Sequence, residues 1–224
     1  MPESVRKAAL VLDLFSVEHP DWGPAEVAAE LGIARSTAHA LLVELCNAGL
    51  TERLPCGRYR LGWRTLGLAR TKLATSGFGA EVAPTARWLA GHFGETVHVT
   101  ALERSRVIYV ASERPPGGVA APSEPVAAPL TPPGTVLLAE RADGGGSGLE
   151  PRELERTRRR GYAVGAQRAL DGVDCAAAPV RVSDRPATVA LALCAPRDRF
   201  EARRDEYTLA IAGAGKRIAR SVRR

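Results

Sequence analysis

Long apolar runs are missing from this chain, and that absence is the first constraint on what it does. A membrane-spanning helix needs roughly eighteen or more consecutive apolar residues, and no stretch approaches that length. The N-terminus, Met-Pro-Glu-Ser-Val-Arg-Lys, runs straight into an amphipathic pattern without the apolar core of a secretory signal. A cytoplasmic location is therefore expected, with no membrane partner. Cysteine is scarce too. Cys46, Cys56, Cys175 and Cys194 form no C-x-x-C pair and share no metal-like spacing with the four histidines. In a reducing compartment these thiols are expected to stay free and to pack as small hydrophobes, and no metal or other cofactor is expected. Catalytic apparatus is also lacking. Cys175 and His98 come nearest to a nucleophile and base, but no acidic orienter or oxyanion glycine motif accompanies them, so the chain does not read as an enzyme.

What the chain does contain is ordinary in bulk and specific in detail. At 224 residues, with 45% hydrophobic and 25% charged residues, it can bury the cores of two modest domains. Pro24-Ala-Glu-Val-Ala-Ala-Glu-Leu31 has Val27, Ala28 and Leu31 on one helical face and Glu26 and Glu30 on the other. Gly23 and Pro24 suit its N-cap and first turn, and Gly32-Ile33 supplies a sharp turn. A second helix follows over 34–46, with Ala38, Leu41, Leu42 and Leu45 inward. Arg35, Ser36, Thr37 and His39 are thereby left at its exposed N-terminal end. A recognition helix meets the major groove with that end: arginine forks onto guanine, hydroxyls hold phosphate, and the helix N-terminus favours an anion.

Helix-glycine-helix patterns also occur in ordinary bundles, so the flanking residues matter. Asn47-Ala-Gly49 is a glycine C-cap. Leu50–Leu54 and Arg58–Leu61 then flank Pro55-Cys-Gly57 in a strand-turn-strand pattern. The hairpin makes the unit a winged helix-turn-helix, with Arg53, Arg58 and Arg60 as candidate phosphate contacts. Charge is distributed to match. Residues 1–34 hold two cations against six carboxylates, whereas 35–76 hold seven against two. The positive field thus coincides with the motif, as a phosphate backbone would require.

Elsewhere the spacing predicts a first helix over 4–18 with Val5, Ala8, Ala9, Leu12 and Phe15 inward, and Leu10, Val11 and Leu14 as further apolar surface. A linker helix is expected from Gly62, broken at Thr75-Ser-Gly-Phe-Gly79 and suited to pairing with a second copy. A helix over 81–93 precedes strands at 96–102 and 107–111, and residues 114–135 give only loop or edge-strand signals. A short helix over 136–140, a flexible glycine-rich connection at 143–148 and a charged helix over 150–160 come next. Strands at 175–180 and 188–194, turned at Ser183-Asp184, and a helix from Asp198 to about Arg220 complete the chain. Hairpins flanked by helices imply an α+β domain.

Five segments together resemble the isocitrate-lyase-regulator-like (IclR) family of bacterial transcription factors. They are Leu-Gly-Ile-Ala-Arg-Ser-Thr-Ala-His (31–39), Tyr-Arg-Leu-Gly (59–62), Gly-Glu-Thr-Val-His (94–98), Arg-Gly-Tyr-Ala (160–163) and Gly-Val-Asp-Cys-Ala-Ala-Ala-Pro-Val (172–180). The resemblance implies a winged helix-turn-helix domain over 1–62, a linker helix over 63–77 and a GAF/profilin-like α+β effector domain over 78–224. It also implies dimers or tetramers on near-palindromic double-stranded operators, switched by a small molecule and more often repressing than activating.

The departures from the family pattern are informative. Ala40 stands where the family usually has Arg, so one common DNA contact is missing. The family's His-Ala-x-x-x-Gly-Lys segment appears shortened as Thr131-Pro-Pro-Gly-Thr135, which puts Gly134 and Thr135 near the effector site. The connection from Leu138 to Arg158 is short for the family, and the acidic stretch after the Arg-Gly-Tyr motif is replaced by Gly165-Ala-Gln-Arg168. Members that bind small carboxylates line the pocket with an acidic residue, a cysteine and two serines. By resemblance those positions are Gly165, Cys175, Ala192 and Cys194 here, with Ala120 and Ala128 small on the loop side. Lost hydroxyl donors disfavour a small anion, so the expected effector is aromatic or otherwise largely apolar. The alternative is an effector-independent, architectural DNA-binding protein whose C-terminal domain only oligomerises.

Overall fold

A computed structural model describes residues 3–75, 82–141, 148–181, 187 and 189–221. The chain divides into two compact units, Met1–Thr75 and Ser76–Arg224. The expected break after Thr75, the glycine-rich connection over 143–147 and the turn at Ser183-Asp184 lie outside the described residues.

The first unit comprises α1 (Glu3–Asp13), β1 (Asp21–Trp22), α2 (Pro24–Leu31), α3 (Arg35–Asn47), β2 (Thr51–Arg53), β3 (Tyr59–Leu61) and α4 (Trp63–Thr75). In α2 the Glu26 carboxylate accepts the Gly23 N–H at 2.8 Å, closing the first turn. Gly32 ends the helix at φ 63°, a left-handed conformation that costs glycine nothing. Val27, Ala38, Leu42, Leu45 and Tyr59 are buried around Val11 of α1. That corrects the expectation for the first helix, which stops at Asp13 and leaves Val5 50% and Leu10 40% exposed. Apolar residues surround most of α1, so periodicity could not select the stripe that docks against α3. The wing forms as expected, antiparallel with Glu52 opposite Arg60. An additional strand, β1, joins it in the order β1-β3-β2.

The second unit holds α5 (Val82–Phe93), β4 (Thr96–Glu103), β5 (Arg106–Glu113), β6 (Val126–Ala127), a 3-10 turn (Ala128–Leu130) and α6 (Pro132–Glu140). It continues with α7 (Pro151–Arg160), β7 (Ala163–Ala166), β8 (Val173–Val180), β9 (Val189–Pro196), α8 (Arg197–Ala202) and α9 (Arg204–Ser221). Its sheet has six strands in the order β6-β5-β4-β9-β8-β7, antiparallel throughout. Because side chains alternate along a strand, the register assigns each face. Cys175, Ala177, Ala190, Ala192 and Cys194 pack on one side with α6 residues Val136–Ala139. On the other side Gly215 of α9 lies against Ala178 and Pro179, where a Cβ would come within 2.8 Å of the Pro179 carbonyl.

Helix α6 begins earlier than its apolar run suggested, because Thr131 caps it by accepting the Gly134 N–H at 2.9 Å. Its start runs so close to the 3-10 turn that a Cβ on Gly134 would lie 2.1 Å from the Ala128 carbonyl oxygen. The C-terminal helical region is split at Arg203 into α8 and α9. No described helix is long and apolar enough to cross a membrane.

Candidate nucleic-acid interface and effector face

The candidate DNA surface is built on the start of α3. Ala34 is its N-cap and supplies no side-chain cap, so backbone N–H groups of the first turn are left without helical acceptors. Arg35, Ser36 and His39 are exposed there and Thr37 is half-buried. Unspent N–H groups, an arginine and hydroxyls stand together on one helix end, the kinds of group that can hold an anion and read a base edge.

The wing divides the three arginines expected at phosphate. Arg53 is exposed and makes no ion pair with a described residue. Arg60 pairs with Glu52 directly across the hairpin, an exposed contact that holds it only weakly. Arg58 is the most strongly paired of the three. Its guanidinium is held by Glu26 of α2 and Asp21 of β1, and also donates to the Asp21 carbonyl oxygen at 2.9 Å. The bond to Glu26, then that to Asp21, raises the Arg58 pKa above its already high ordinary value. The Glu26 carboxyl is correspondingly lowered, by Arg58 first and by the Gly23 N–H second. With its donors committed to Asp21 and Glu26, the half-exposed Arg58 joins three elements of the unit and is a paired cation, not a free one. Arg64 likewise reaches the Ala48 carbonyl oxygen at the end of α3, at 2.6 Å.

In the second unit the sheet gathers part of the expected effector site. Ala128, Cys175, Ala192 and Cys194 are fully buried in one apolar cluster, and Gly165 pairs with Cys175 across β7 and β8. Gly134 touches this region through Ala128, while the Thr135 hydroxyl is spent on the Thr131 carbonyl at 3.1 Å. Ala120 is exposed and outside the cluster, against which Val119 packs instead.

The cysteines require a second correction. Cys175 and Cys194 face each other in register with Cα atoms 4.2 Å apart and are joined as a disulfide, while Cys46 and Cys56 are free. Close cross-strand positions bring the two sulfurs together, so neither thiol is available to a ligand. Among the described residues no group of three or more His, Cys, Asp or Glu side chains is placed to hold a metal.

Sequence reasoning missed a polar row on the same sheet face. His98 is fully buried; its Nδ1 lies 2.8 Å from Ser112 Oγ, and its ring meets Tyr109 edge-on at 5.2 Å. The Gln167 amide donates to the Tyr109 hydroxyl. Burial, and secondarily the positive charge of Arg114, lowers the His98 pKa to about 4. Burial pushes Tyr109 up to about 12. Alternation in β4 would have flagged Thr96 and His98 as inward polar residues. Nothing local links them to Gln167.

Residues 4–55 match the IclR helix-turn-helix domain, and residues 150–220 match the C-terminal domain of the bacterial transcriptional regulator IclR. The chain is 29% identical to the glycerol operon regulatory protein of Streptomyces griseus, over 88% of this chain and 86% of that one. Its fold superposes on an IclR transcriptional regulator from Alicyclobacillus acidocaldarius with a TM-score of 0.81 at 24% identity, covering 98% of each chain. An IclR homolog from Microbacterium hydrocarbonoxydans, solved in complex with 4-hydroxybenzoate, gives 0.80 at 20% identity over 99% of both chains.

Proposed function

The chain belongs to the IclR family of bacterial transcriptional regulators, and we propose that it is a ligand-responsive repressor acting on a near-palindromic operator. It is a regulator with a DNA-binding helix-turn-helix domain and a C-terminal effector domain. The observation that carries it is the uncapped, exposed start of α3, where Arg35, Ser36 and His39 stand together. Arg35 reads a base edge and Thr37 supports it, while Arg53 and the loosely paired Arg60 contact phosphates.

Helix α4 buries no residue within its unit and exposes Trp63 by 78%, Leu66 by 52% and Leu68 by 53%. That apolar surface supports a linker that pairs with a second copy, matching two half-sites to a two-fold dimer or to a tetramer. The effector domain takes an aromatic or otherwise largely apolar molecule, which the alanine-rich sheet face favours and the 4-hydroxybenzoate complex of a structural neighbour parallels. Ligand binding then shifts the population of two arrangements of the paired DNA-binding domains.

The test is footprinting on the DNA upstream of the protein's own gene, across a salt series with random DNA as competitor. A protected imperfect palindrome that survives competition is the expected result. Uniform binding that vanishes with salt would instead favour an architectural protein whose C-terminal domain only oligomerises.

A further inference from the structure

Building on the effector-domain reading, we infer that Thr96, His98, Tyr109 and Gln167 form a receptor for the hydroxyl head of an uncharged small molecule. The apolar body of that molecule lies along Ala192 and the Cys175–Cys194 pair. Among the described residues five buried side-chain polar atoms lack a hydrogen-bond partner, and three of them, Thr96 Oγ1, His98 Nε2 and Gln167 Oε1, belong to this row. Their residues are 0%, 0% and 1% exposed. Buried polar atoms are normally paired, because leaving one unmade forfeits its hydration without return. Such a concentration in one place marks a site that awaits polar atoms from elsewhere.

The fold makes the row continuous. Thr96 and His98 share a face of β4 and stand opposite Cys194 and Ala192. Tyr109 lies against His98, and Gln167 reaches Tyr109 from beyond β7. Turning the Gln167 amide over would exchange its two ends but still leave one open. Either His98 tautomer likewise leaves Nε2 unpaired while Nδ1 is engaged with Ser112. Gly118 packs closely on the Thr96 end of the row, since a Cβ there would approach Thr96 Oγ1 to 2.5 Å.

The chemistry of the head follows from the charge of the row. His98 is neutral in the physiological range and Tyr109 keeps its proton. The cation that influences the row, Arg114, is exposed and donates to the Gly118 carbonyl oxygen at 2.8 Å. A carboxylate placed here would be desolvated without a buried counter-ion. A hydroxyl both donates and accepts, so it satisfies the Gln167 carbonyl while receiving a hydrogen bond from Thr96 or His98. The adjoining wall of Ala190, Ala192, Cys175 and Cys194 offers only apolar contact.

The experiment uses the full-length protein and two probes of similar size, 4-methylphenol and benzoate, followed by calorimetric titration and thermal shift. 4-Methylphenol should bind at least about tenfold more tightly than benzoate. Gln167→Met should weaken it about tenfold, as expected for one lost hydrogen bond that leaves a partner unpaired. Thr96→Val provides a readout that a merely structural threonine would not give. It should raise the melting temperature of the ligand-free protein, by removing an unpaired buried hydroxyl at constant shape, while weakening 4-methylphenol. Tighter binding of benzoate, 4-methylphenol binding unchanged in both variants, or a lowered melting temperature in Thr96→Val would overturn the polar row while leaving the effector domain in place. If neither probe binds and neither alters operator affinity, the effector reading falls and the row falls with it.

Discussion

Mild acid should destabilise the C-terminal unit through a single buried imidazole. The His98 pKa falls from 6.5 to about 4 because the ring is buried and, secondarily, because Arg114 is positive. Above pH 6.5 His98 is neutral in both the folded and the unfolded chain and contributes nothing to the balance. As the pH falls through that value the unfolded chain takes up a proton that the folded chain refuses, so stability is lost progressively until about pH 4. At about 1.36 kcal/mol per pH unit the full loss is about 3 kcal/mol, of which about 2 kcal/mol is already present at pH 5. Against a typical total of about 5–15 kcal/mol this is a large fraction. The assay is urea unfolding of the wild type and His98→Gln at pH 7 and pH 5. Loss of the ring's contact with Tyr109 lowers the variant at both values. The difference between the two pH responses cancels the carboxylates and the other histidines. The variant should lose about 2 kcal/mol less than the wild type on acidification. Equal losses, or a proton NMR titration placing His98 at its ordinary value, would refute the reasoning.

Two further substitutions separate a phosphate contact from an internal clamp. Arg53→Gln should weaken binding to all DNA alike and reduce the salt slope by about one, with an unchanged melting temperature. Arg58→Gln should retain the salt slope but lower the melting transition of the DNA-binding unit, because Asp21 and Glu26 lose their shared cation; the reverse pattern would return Arg58 to the DNA surface. Thiol titration under denaturing, non-reducing conditions should find two thiols, Cys46 and Cys56. Because the Cys175–Cys194 bond spans a sequence separation of 19, loop entropy assigns it about 3 kcal/mol, and reduction should lower the melting temperature of its unit by several degrees. Four titratable thiols would contradict the cross-link.

Local chemistry along the chain was sufficient for the DNA-reading motif. Gly32 and Gly57 permit left-handed turns at φ 63° and 83°, Ala38, Leu42 and Leu45 repeat at helical spacing, and the wing strands flank a turn between Leu54 and Arg58. These signals act over a few residues, so a linear reading captures them. By the same route Arg35, Ser36 and His39 were placed on an exposed helix end, and the hairpins implied an α+β domain. Tertiary structure alone decided which apolar stripe of α1 faces the core, because several stripes compete and only docking chooses among them. It also paired Arg58 with two carboxylates, because β1 and α2 bring Asp21 and Glu26 to it from distant sequence positions. Above all it built the sheet face. Strand register sets Thr96 opposite Cys194 and His98 opposite Ala192, aligns Cys175 with Cys194, and lets Gln167 reach Tyr109. No periodicity encodes those neighbours, since residues so far apart become adjacent only once burial and hydrogen bonding have fixed one register among many.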